Sequence, residues 1–169
     1  QWINNLQHGY GVETWKTGER YEGDFDSSHK TGRGIFAWPD GRSYTGSFQL
    51  GTLQGAGVYT WPDGRIYRGQ FVGNKMHGRG VFQWADGRSY AGGYVDDLKE
   101  GFGVFSWPDG RRYEGGWQNG QLHGHGVSHQ ASGQAVRAIF EEGQPVQNQP
   151  DQEGIPSPNT DQDSPRLEP

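Results

Sequence analysis

The sequence has no cysteine, a single methionine and few aliphatic side chains. The absence of cysteine from 169 residues excludes disulfide bonds, thiolate metal sites and a cysteine nucleophile, and it fits a reducing, cytoplasmic location. Leu, Ile, Val and Phe together make up only about a sixth of the chain, and the mean hydropathy is −0.97. Taken alone, this composition is typical of a disordered chain.

Long apolar runs and a basic charge excess are also missing. No apolar run approaches the roughly 20 residues of a membrane-spanning helix, and no signal peptide or lipidation motif is present, so we expect a soluble or peripheral protein. The net charge is −5, and the segment from Gln144 onward holds five acidic residues and one basic residue. The remainder therefore carries a net charge of −1, which argues against a nucleic-acid partner because nucleic acid requires a basic surface.

Glycine and aromatic residues are abundant, and they recur with a 23-residue period. The 30 glycines, seven tryptophans and eight tyrosines concentrate the apolar surface in rings. The repeated tryptophans are Trp15, Trp38, Trp61, Trp84 and Trp107. The repeated tyrosines are Tyr21, Tyr44, Tyr67, Tyr90 and Tyr113. G-x-G and D-G pairs keep the same step, so the chain is an array of repeats.

Each repeat predicts two β-strands joined by a turn. Residues alternate with a period of two, which indicates strands. In Trp38-Pro39-Asp40-Gly41-Arg42, proline and glycine favour a type I turn followed by a left-handed residue, which makes a three-residue hairpin loop with a bulge. Pairing of Trp38 with Arg42 then places Phe36 opposite Tyr44 and Gly34 opposite Gly46. A two-residue loop would split the rings between two faces, so we favour the three-residue loop.

The predicted fold is all-β: an elongated, single-layer antiparallel meander of tandem β-hairpin repeats. The array covers residues 1–143, with a half unit at 1–20 and a degenerate unit from Val136 that caps the end. Full units start at Tyr21, Tyr44, Tyr67, Tyr90 and Tyr113. Pairing is expected to weaken after Phe140. Residues 144–169, which are acidic and rich in Pro and Gln, are predicted to be a disordered tail.

The repeat resembles the MORN (membrane occupation and recognition nexus) family. The shared pattern is Y-x-G-x-[FYW], followed by G-x-G-[VI]-[FY]-x-W-P-D-G-R, and it covers residues 1 to about 143. The resemblance implies a scaffold or partner-binding module at a membrane or a cytoskeletal structure. It also allows an appendage of an enzyme, because such arrays accompany phosphatidylinositol phosphate kinases and a lysine methyltransferase.

The aromatic face has two interpretations. Its rings can pack on one another as the core of the array. A single sheet lacks a second layer, however, so ring surface is also expected to stay accessible as a groove for a protein partner or a second copy of the chain. The predicted groove residues are Trp38, Trp61, Trp84, Trp107, Tyr44, Tyr67, Tyr90, Tyr113, Phe36, Tyr59, Phe82 and Phe105.

A row of arginines follows the D-G turns and also has two interpretations. The row consists of Arg42, Arg65, Arg88 and Arg111. Locally, each guanidinium can stack on the tryptophan of its unit and neutralise the turn aspartate. Alternatively, the row binds anions, because the resemblance implies acidic phospholipids as ligands. The turn aspartates alternate with these arginines, so we expect lipid binding to be weak.

Catalytic and metal sites are not predicted. His123, His125 and His129 alternate to one face of a strand, but no carboxylate or thiolate completes a zinc site. The G-x-G pairs lack the strand-loop-helix context of a dinucleotide site and are interpreted as turn glycines. No nucleophile lies near a base. We therefore expect no cofactor, no metal and no enzymatic activity.

The leading functional hypothesis is a non-enzymatic scaffold that binds a protein partner, or self-associates, along the aromatic groove. The alternatives are a peripheral module that binds anionic phospholipid through the arginine row, and the regulatory segment of a larger enzyme such as a phosphatidylinositol phosphate kinase.

Overall fold

The described part of the protein consists of β-strands and contains no helix. The computed structural model describes residues 2–3 and 6–148. The strands are β1 (Trp2–Ile3), β2 (Leu6–Gln7), β3 (Gly9–Thr14), β4 (Arg20–Asp26), β5 (His29–Ala37), β6 (Ser43–Gln49), β7 (Thr52–Thr60), β8 (Ile66–Val72), β9 (Lys75–Gln83), β10 (Ser89–Val95), β11 (Leu98–Ser106), β12 (Arg112–Gln118), β13 (Gln121–His129), β14 (Ala135–Glu141) and β15 (Gln144–Asn148).

Strands β3 to β15 form one antiparallel sheet in which every strand pairs with its neighbours in the chain. Strands β1 and β2 form a separate two-stranded pair. The predicted meander of hairpin repeats is therefore confirmed. Because consecutive strands pair, each repeat contacts only the repeats next to it, as in other linear repeat proteins.

The turn after each tryptophan has the predicted three-residue geometry. The Trp38 N–H donates to the Arg42 carbonyl at 3.0 Å, and the Gly41 N–H donates to the Trp38 carbonyl at 3.1 Å. Gly41 has a φ of +92°, which glycine adopts without the steric cost of a Cβ. Phe36 pairs with Tyr44. The register that places the rings on one face is confirmed.

The second connection in each repeat is a two-residue turn that the sequence analysis did not specify. Leu50 and Gly51 have φ values of +48° and +82°, and Asn119 and Gly120 have +49° and +81°. Positive φ at both central residues is the geometry of the tight turn that matches strand twist, and Asn-Gly is its strongest sequence signal. The dipeptide Asn119-Gly120 was therefore sufficient to predict this turn in one unit.

These two-residue turns also link each repeat to the preceding one. The Gly51 N–H donates to the Lys30 carbonyl at 2.9 Å, and corresponding bonds recur along the array. The side chains of Ser28, Asn74 and Asp97 add a second bond at 2.8–3.0 Å. The backbone N–H of Asn74, for example, donates to the Leu53 carbonyl, and the Asn74 side-chain oxygen accepts the Leu53 N–H in return. Glycine at the same turn position provides the backbone bond alone.

The G-x-G glycines lie inside strands. The predicted pairing of Gly34 with Gly46 is confirmed, and the interpretation of these glycines as turn glycines was wrong. Between the pairs Gly46–Gly57 and Phe48–Leu53 the register shifts, because β7 contains two more residues than β6 in that interval. Gly55 occupies this bulge with a φ of +69°. A bulge accommodates extra residues by bending the strand, and glycine is favoured where the bend requires positive φ.

In the full units, the second glycine of each G-x-G lies under a tyrosine ring. The Tyr44 side chain is 0% exposed and lies across β6 and β7. A Cβ on Gly46 would be 2.3 Å from its hydroxyl, and a Cβ on Gly57 would be 2.4 Å from its ring. The Tyr44 hydroxyl donates to the Ser47 carbonyl at 3.0 Å. The paired glycines therefore form a flat seat for the ring.

Neighbouring rings then enclose each tyrosine. Phe48 meets Tyr44 edge-on at 5.2 Å and 88°, and Phe71 from the next repeat meets it at 5.0 Å and 86°. Such edge-to-face pairs contribute about 0.5–1.5 kcal/mol each beyond their buried area. Leu53 and Met76 are buried in the same cluster. A single layer thus gains a core because rings at equivalent positions of successive repeats lie side by side.

The C-terminal boundary of the array was predicted wrongly. Strand β15 begins at Gln144 and pairs with β14, so the sheet extends to Asn148. The physical reason is that Glu142 and Gly143 retain the tight turn, with φ values of +47° and +78°. Pro145 is tolerated because an edge strand does not need every N–H. The rest of the predicted tail, residues 149–169, lies outside the described residues.

Glycine substitution beneath a tyrosine ring should destabilise the array. Gly57→Ala forces the buried Tyr44 ring off its seat, and we expect a loss of about 2–3 kcal/mol in the free energy of unfolding. Gly11 has the same position in its repeat, but a Cβ there meets the Phe25 ring at 3.3 Å. Urea unfolding should show that Gly11→Ala costs clearly less. An equal loss of unfolding free energy in the two variants would show that Gly57 is not needed as a seat for the Tyr44 ring.

The buried tyrosines should make the fold sensitive to alkali. Burial raises the pKa of Tyr44 from 10.0 to about 12, and the pKa of Tyr113 is raised to about 12 for the same reason. These phenols contribute stability that is fully present below pH 10.0 and is lost as the pH rises through about 12. Alkaline titration should show their phenolate absorbance appearing with loss of the near-ultraviolet circular dichroism. Ionisation at the ordinary phenol pKa in a fully folded chain would contradict this.

Candidate functional site

A continuous row of rings runs along the sheet on the tryptophan side. Phe36 and Trp38 are 4.6 Å apart between centroids, Trp38 and Tyr59 are 5.3 Å apart, and Tyr59 and Trp61 are 4.5 Å apart. The same alternation continues through Trp84 as far as the end of the row. The tryptophan of each full unit up to Trp84 thus contacts an aromatic residue of the following unit.

Most of the predicted groove residues are interior. The tyrosines Tyr44, Tyr67, Tyr90 and Tyr113 and the rings Tyr59, Phe82 and Phe105 are buried, at 0–3% exposure. Trp61 and Trp84 are 8% and 7% exposed. The expectation that these rings line an accessible groove is therefore corrected. The other interpretation, in which the rings pack on one another as the core of the array, applies to them, because rings of adjacent repeats cover one another.

Ring surface remains accessible at the ends of the row. Trp15, Phe36 and Trp38 at one end and Trp107 at the other are half-buried and pack against the core. At Trp107 the next unit supplies Ser128 in place of an aromatic ring. The rings at the start of the array surround a concavity of about 560 Å³, which we call the N-terminal pocket. Its lining is Trp15, Thr17, Glu19, Lys30, Phe36, Trp38, Pro39, Asp40 and Arg42.

Lys30 places a cation against the aromatic wall of the N-terminal pocket. Its Nζ is 4.7 Å from the Trp15 ring centroid and 5.3 Å from that of Phe36. Burial lowers the pKa of Lys30, and the nearby charge of Glu13 opposes that effect. Among the described residues Lys30 forms no ion pair. The pocket thus combines apolar walls with a cation that an anionic group can approach.

Lys30 was not among the predicted site residues, although the 23-residue step contains the signal. Lys30 stands at the repeat position that Leu53, Met76, Lys99 and Leu122 occupy in the following units. Leu53, Met76 and Leu122 are buried core residues. A lysine at an aliphatic core position is a departure from the repeat, and alignment of the units would have found it.

Each predicted anion-binding arginine is engaged within its own turn. Arg42 Nε lies 2.6 Å from Asp40 Oδ2, and the guanidinium carbon is 5.2 Å from the Trp38 ring centroid. The Asp40 Oδ1 accepts the Arg42 N–H at 3.0 Å. The other arginines of the row repeat this geometry: Arg65, Arg88 and Arg111. Their binding of external anions stays a prediction.

The repeats match a known family. A family model of the MORN repeat matches residues 1–20, 21–41, 44–64, 67–87, 90–111 and 113–135, which together make up well over half of the sequence. The chain belongs to the MORN repeat family. A search of curated proteins finds no match.

Two solved structures share a distant likeness with this MORN array. The G-box domain of the microcephaly protein CPAP is 16% identical, with 79% of this chain and 78% of that chain covered and a TM-score of 0.44. Inactive virginiamycin B lyase from Staphylococcus aureus is 13% identical, with 85% and 46% covered and a TM-score of 0.20. Scores this low carry no argument about function.

The histidines of the last MORN unit lie on one strand, away from the aromatic face. His123, His125 and His129 all belong to β13 and alternate to the face opposite the rings. The ring of His129 is 3.9 Å from the Glu114 carboxylate. Within residues 2–3 and 6–148 no group of three or more His, Asp or Glu is placed to hold a metal ion. The same residues include no helix able to span a membrane.

Stability of the turns should fall in acid. The Arg42 N–H bond, together with the Arg42 guanidinium, holds the pKa of Asp40 below its ordinary 3.8, and the pKa of Asp109 is lowered by Arg111 in the same way. The contribution is present above about pH 4 and is lost as the pH falls through the lower, folded pKa. Asn at Asp40, Asp63, Asp86 and Asp109 keeps the acceptor but does not titrate, so thermal unfolding of that variant should depend less on pH in this acid range. Identical acid profiles would contradict this assignment.

Proposed function

We propose that this chain is a non-enzymatic MORN scaffold that captures a protein partner at the N-terminal pocket of its aromatic face. One observation carries the proposal: Trp15, Phe36 and Trp38 are half-buried around a concavity, whereas the equivalent Trp61 and Trp84 are covered. Half-buried tryptophan on a rigid sheet is the kind of surface that provides most of the binding energy at protein interfaces.

The chemistry of the pocket favours a partner segment with an apolar side chain beside a carboxylate. The apolar group fills the space between Trp15 and Trp38. The carboxylate approaches Lys30, whose charge sits among the rings. Glu19 and Asp40 at the rim disfavour a second acidic group there. This pairing of one anchor with one charge gives orientation as well as affinity.

The geometry gives less support to anionic lipid as the ligand. A lipid headgroup would have to compete with Asp40 and its equivalents, each of which lies 2.6–2.7 Å from its own arginine. Binding of the whole array to a membrane would gain about 1 kcal/mol for each basic residue near the surface, and the turn carboxylates offset that gain. Lipid binding is therefore treated as an alternative outcome of the test.

The test uses the full chain as bait for a phage-displayed library of random peptides. We expect enriched peptides to carry an aromatic or aliphatic residue next to Asp or Glu. Titration of the enriched peptide should show that Trp38→Ala weakens affinity about thirtyfold, as at an interface hot spot. Lys30→Gln should weaken affinity and reduce its dependence on salt.

Trp107→Ala is the matched control. Trp107 has the same repeat position, is half-buried and lies under Arg111, but it is at the other end of the row. Equal loss of peptide binding in the folded Trp38→Ala and Trp107→Ala variants would overturn the proposal. If the chain floats with phosphatidylserine vesicles and the Arg65→Gln/Arg88→Gln variant does not, the lipid alternative replaces the proposed protein partner. If the chain forms dimers and the Trp38→Ala variant is monomeric, the occupant of the pocket is a second copy of the chain and not a different protein.

A further inference from the structure

A second accessible apolar surface lies on the face opposite the tryptophans, which we call the outer face. A row of β-branched side chains crosses this face at the 23-residue step: Val12, Ile35, Val58, Val81, Val104 and Val127. Val12, Ile35 and Val81 are exposed. Phe102, which precedes Val104 by two residues on β11, has 69% of its side chain exposed. The repeat pattern of the sequence includes these positions, but they were not recognised as an apolar row.

A groove crosses the outer face where glycines replace side chains. Gly92 and Gly93 form its floor, and the groove measures about 720 Å³. Arg79 and Glu100 stand on either side of Gly93, since both pair with it across the sheet. The remaining side chains around it are Arg68, Val81, Ala91 and Phe102.

The groove carries positive charge that its own acidic residue does not neutralise. The Glu100 carboxylate accepts the Asn119 N–H at 2.9 Å. The Arg68 guanidinium donates to the neutral Gln83 amide at 2.7 Å. Within the described residues, neither Arg68 nor Arg79 forms an ion pair. Two arginines beside an exposed phenylalanine fit an extended acidic segment that also bears an apolar side chain.

The sequence that follows β15 has this composition. Residues 149–169 contain five acidic residues and one basic residue, Arg166. The acidic residues are Asp151, Glu153, Asp161, Asp163 and Glu168. Ile155 and Leu167 are the aliphatic residues of the segment. Pro156 and Pro158 lie on either side of Ser157.

The segment is long enough to cross the groove. Four strand spacings separate β15 from β11, about 19 Å, and the seven residues from Asn148 to Ile155 span about 23 Å when extended. The chain is therefore long enough for Ile155 to reach Phe102. Arg68 and Arg79 are diagonal neighbours on β8 and β9, about 7–8 Å apart. Residues two apart in an extended chain are separated by about 7 Å, which matches Asp161 and Asp163.

We infer that segment 149–169 docks across the outer face of its own array. Asp161 and Asp163 pair with Arg79 and Arg68, and Ile155 covers Phe102. The intact chain thereby shields the exposed apolar patch of its outer face, independently of the N-terminal pocket. Because the contact depends on charge, it is released by salt or by an acidic competitor.

The absence of cysteine allows a direct test by disulfide trapping in the full chain. Ser157→Cys/Ala91→Cys places one thiol on the segment and one in the groove between Arg68 and Phe102. Val95 lies on the same strand and the same face, about 13 Å away, so Ser157→Cys/Val95→Cys is the matched control. We expect the intramolecular disulfide to form about tenfold faster with Ala91→Cys, as two surface ion pairs would provide.

The faster disulfide formation at Ala91→Cys should be lost when Arg68→Gln/Arg79→Gln is added to that variant, and it should also be lost at high salt. Arg33→Gln, at the same register position as Arg79 but two repeats earlier, should leave it intact. Both sets of variants change exposed side chains, and near-ultraviolet circular dichroism checks that the array stays folded. Equal trapping rates at Ala91→Cys and Val95→Cys would overturn the inference. Disulfide-linked dimers that increase with protein concentration would also overturn it, because the segment would then dock on a second copy.

Discussion

The structure depends on a tyrosine ring that lies flat across two paired glycines. Tyr44 above Gly46 and Gly57 shows the interaction, and the same seat recurs in every full repeat. Without Cβ atoms the two strands approach the ring closely enough for its hydroxyl to bond a strand carbonyl at 3.0 Å. The ring then meets Phe48 of its own repeat and Phe71 of the next repeat edge to face. A sheet one layer thick thus obtains a core from its own side chains.

This arrangement explains why a chain with so few aliphatic residues folds. Burial of Leu, Ile and Val ordinarily provides most of the hydrophobic driving force, and by that measure the sequence is poor. Here large rings, each of which buries about 150–250 Å², take that role. The repeat spacing is essential, because a ring is covered only when the next repeat places its own ring beside it. Stability therefore accumulates along the array rather than within a single unit.

Much of the fold could be predicted from residues that repeat, and less from residues that depart from the repeat. Trp38-Pro39-Asp40-Gly41 fixed the hairpin register because turn chemistry is local. For Tyr44 the choice between core and groove stayed open at that level, since its cover comes from Phe71 in another unit. The N-terminal pocket depends on Lys30, which stands, like Lys99, at a position that is aliphatic in the other repeats. The strand after Gly143 was missed because composition outweighed a recurring turn geometry in the prediction.

The hydrogen bonds between successive two-residue turns give the array a mechanical polarity. Ser28, Asn74 and Asp97 each provide two bonds to the preceding repeat, one from the backbone and one from the side chain. Gly51, and Gly120 and Gly143 at the two turns nearest the carboxyl end, provide the backbone bond alone. Under a pulling force the last hairpins would therefore peel away first, while the central hairpins resist. Force applied through the carboxyl end would therefore unfold the array hairpin by hairpin rather than in a single event.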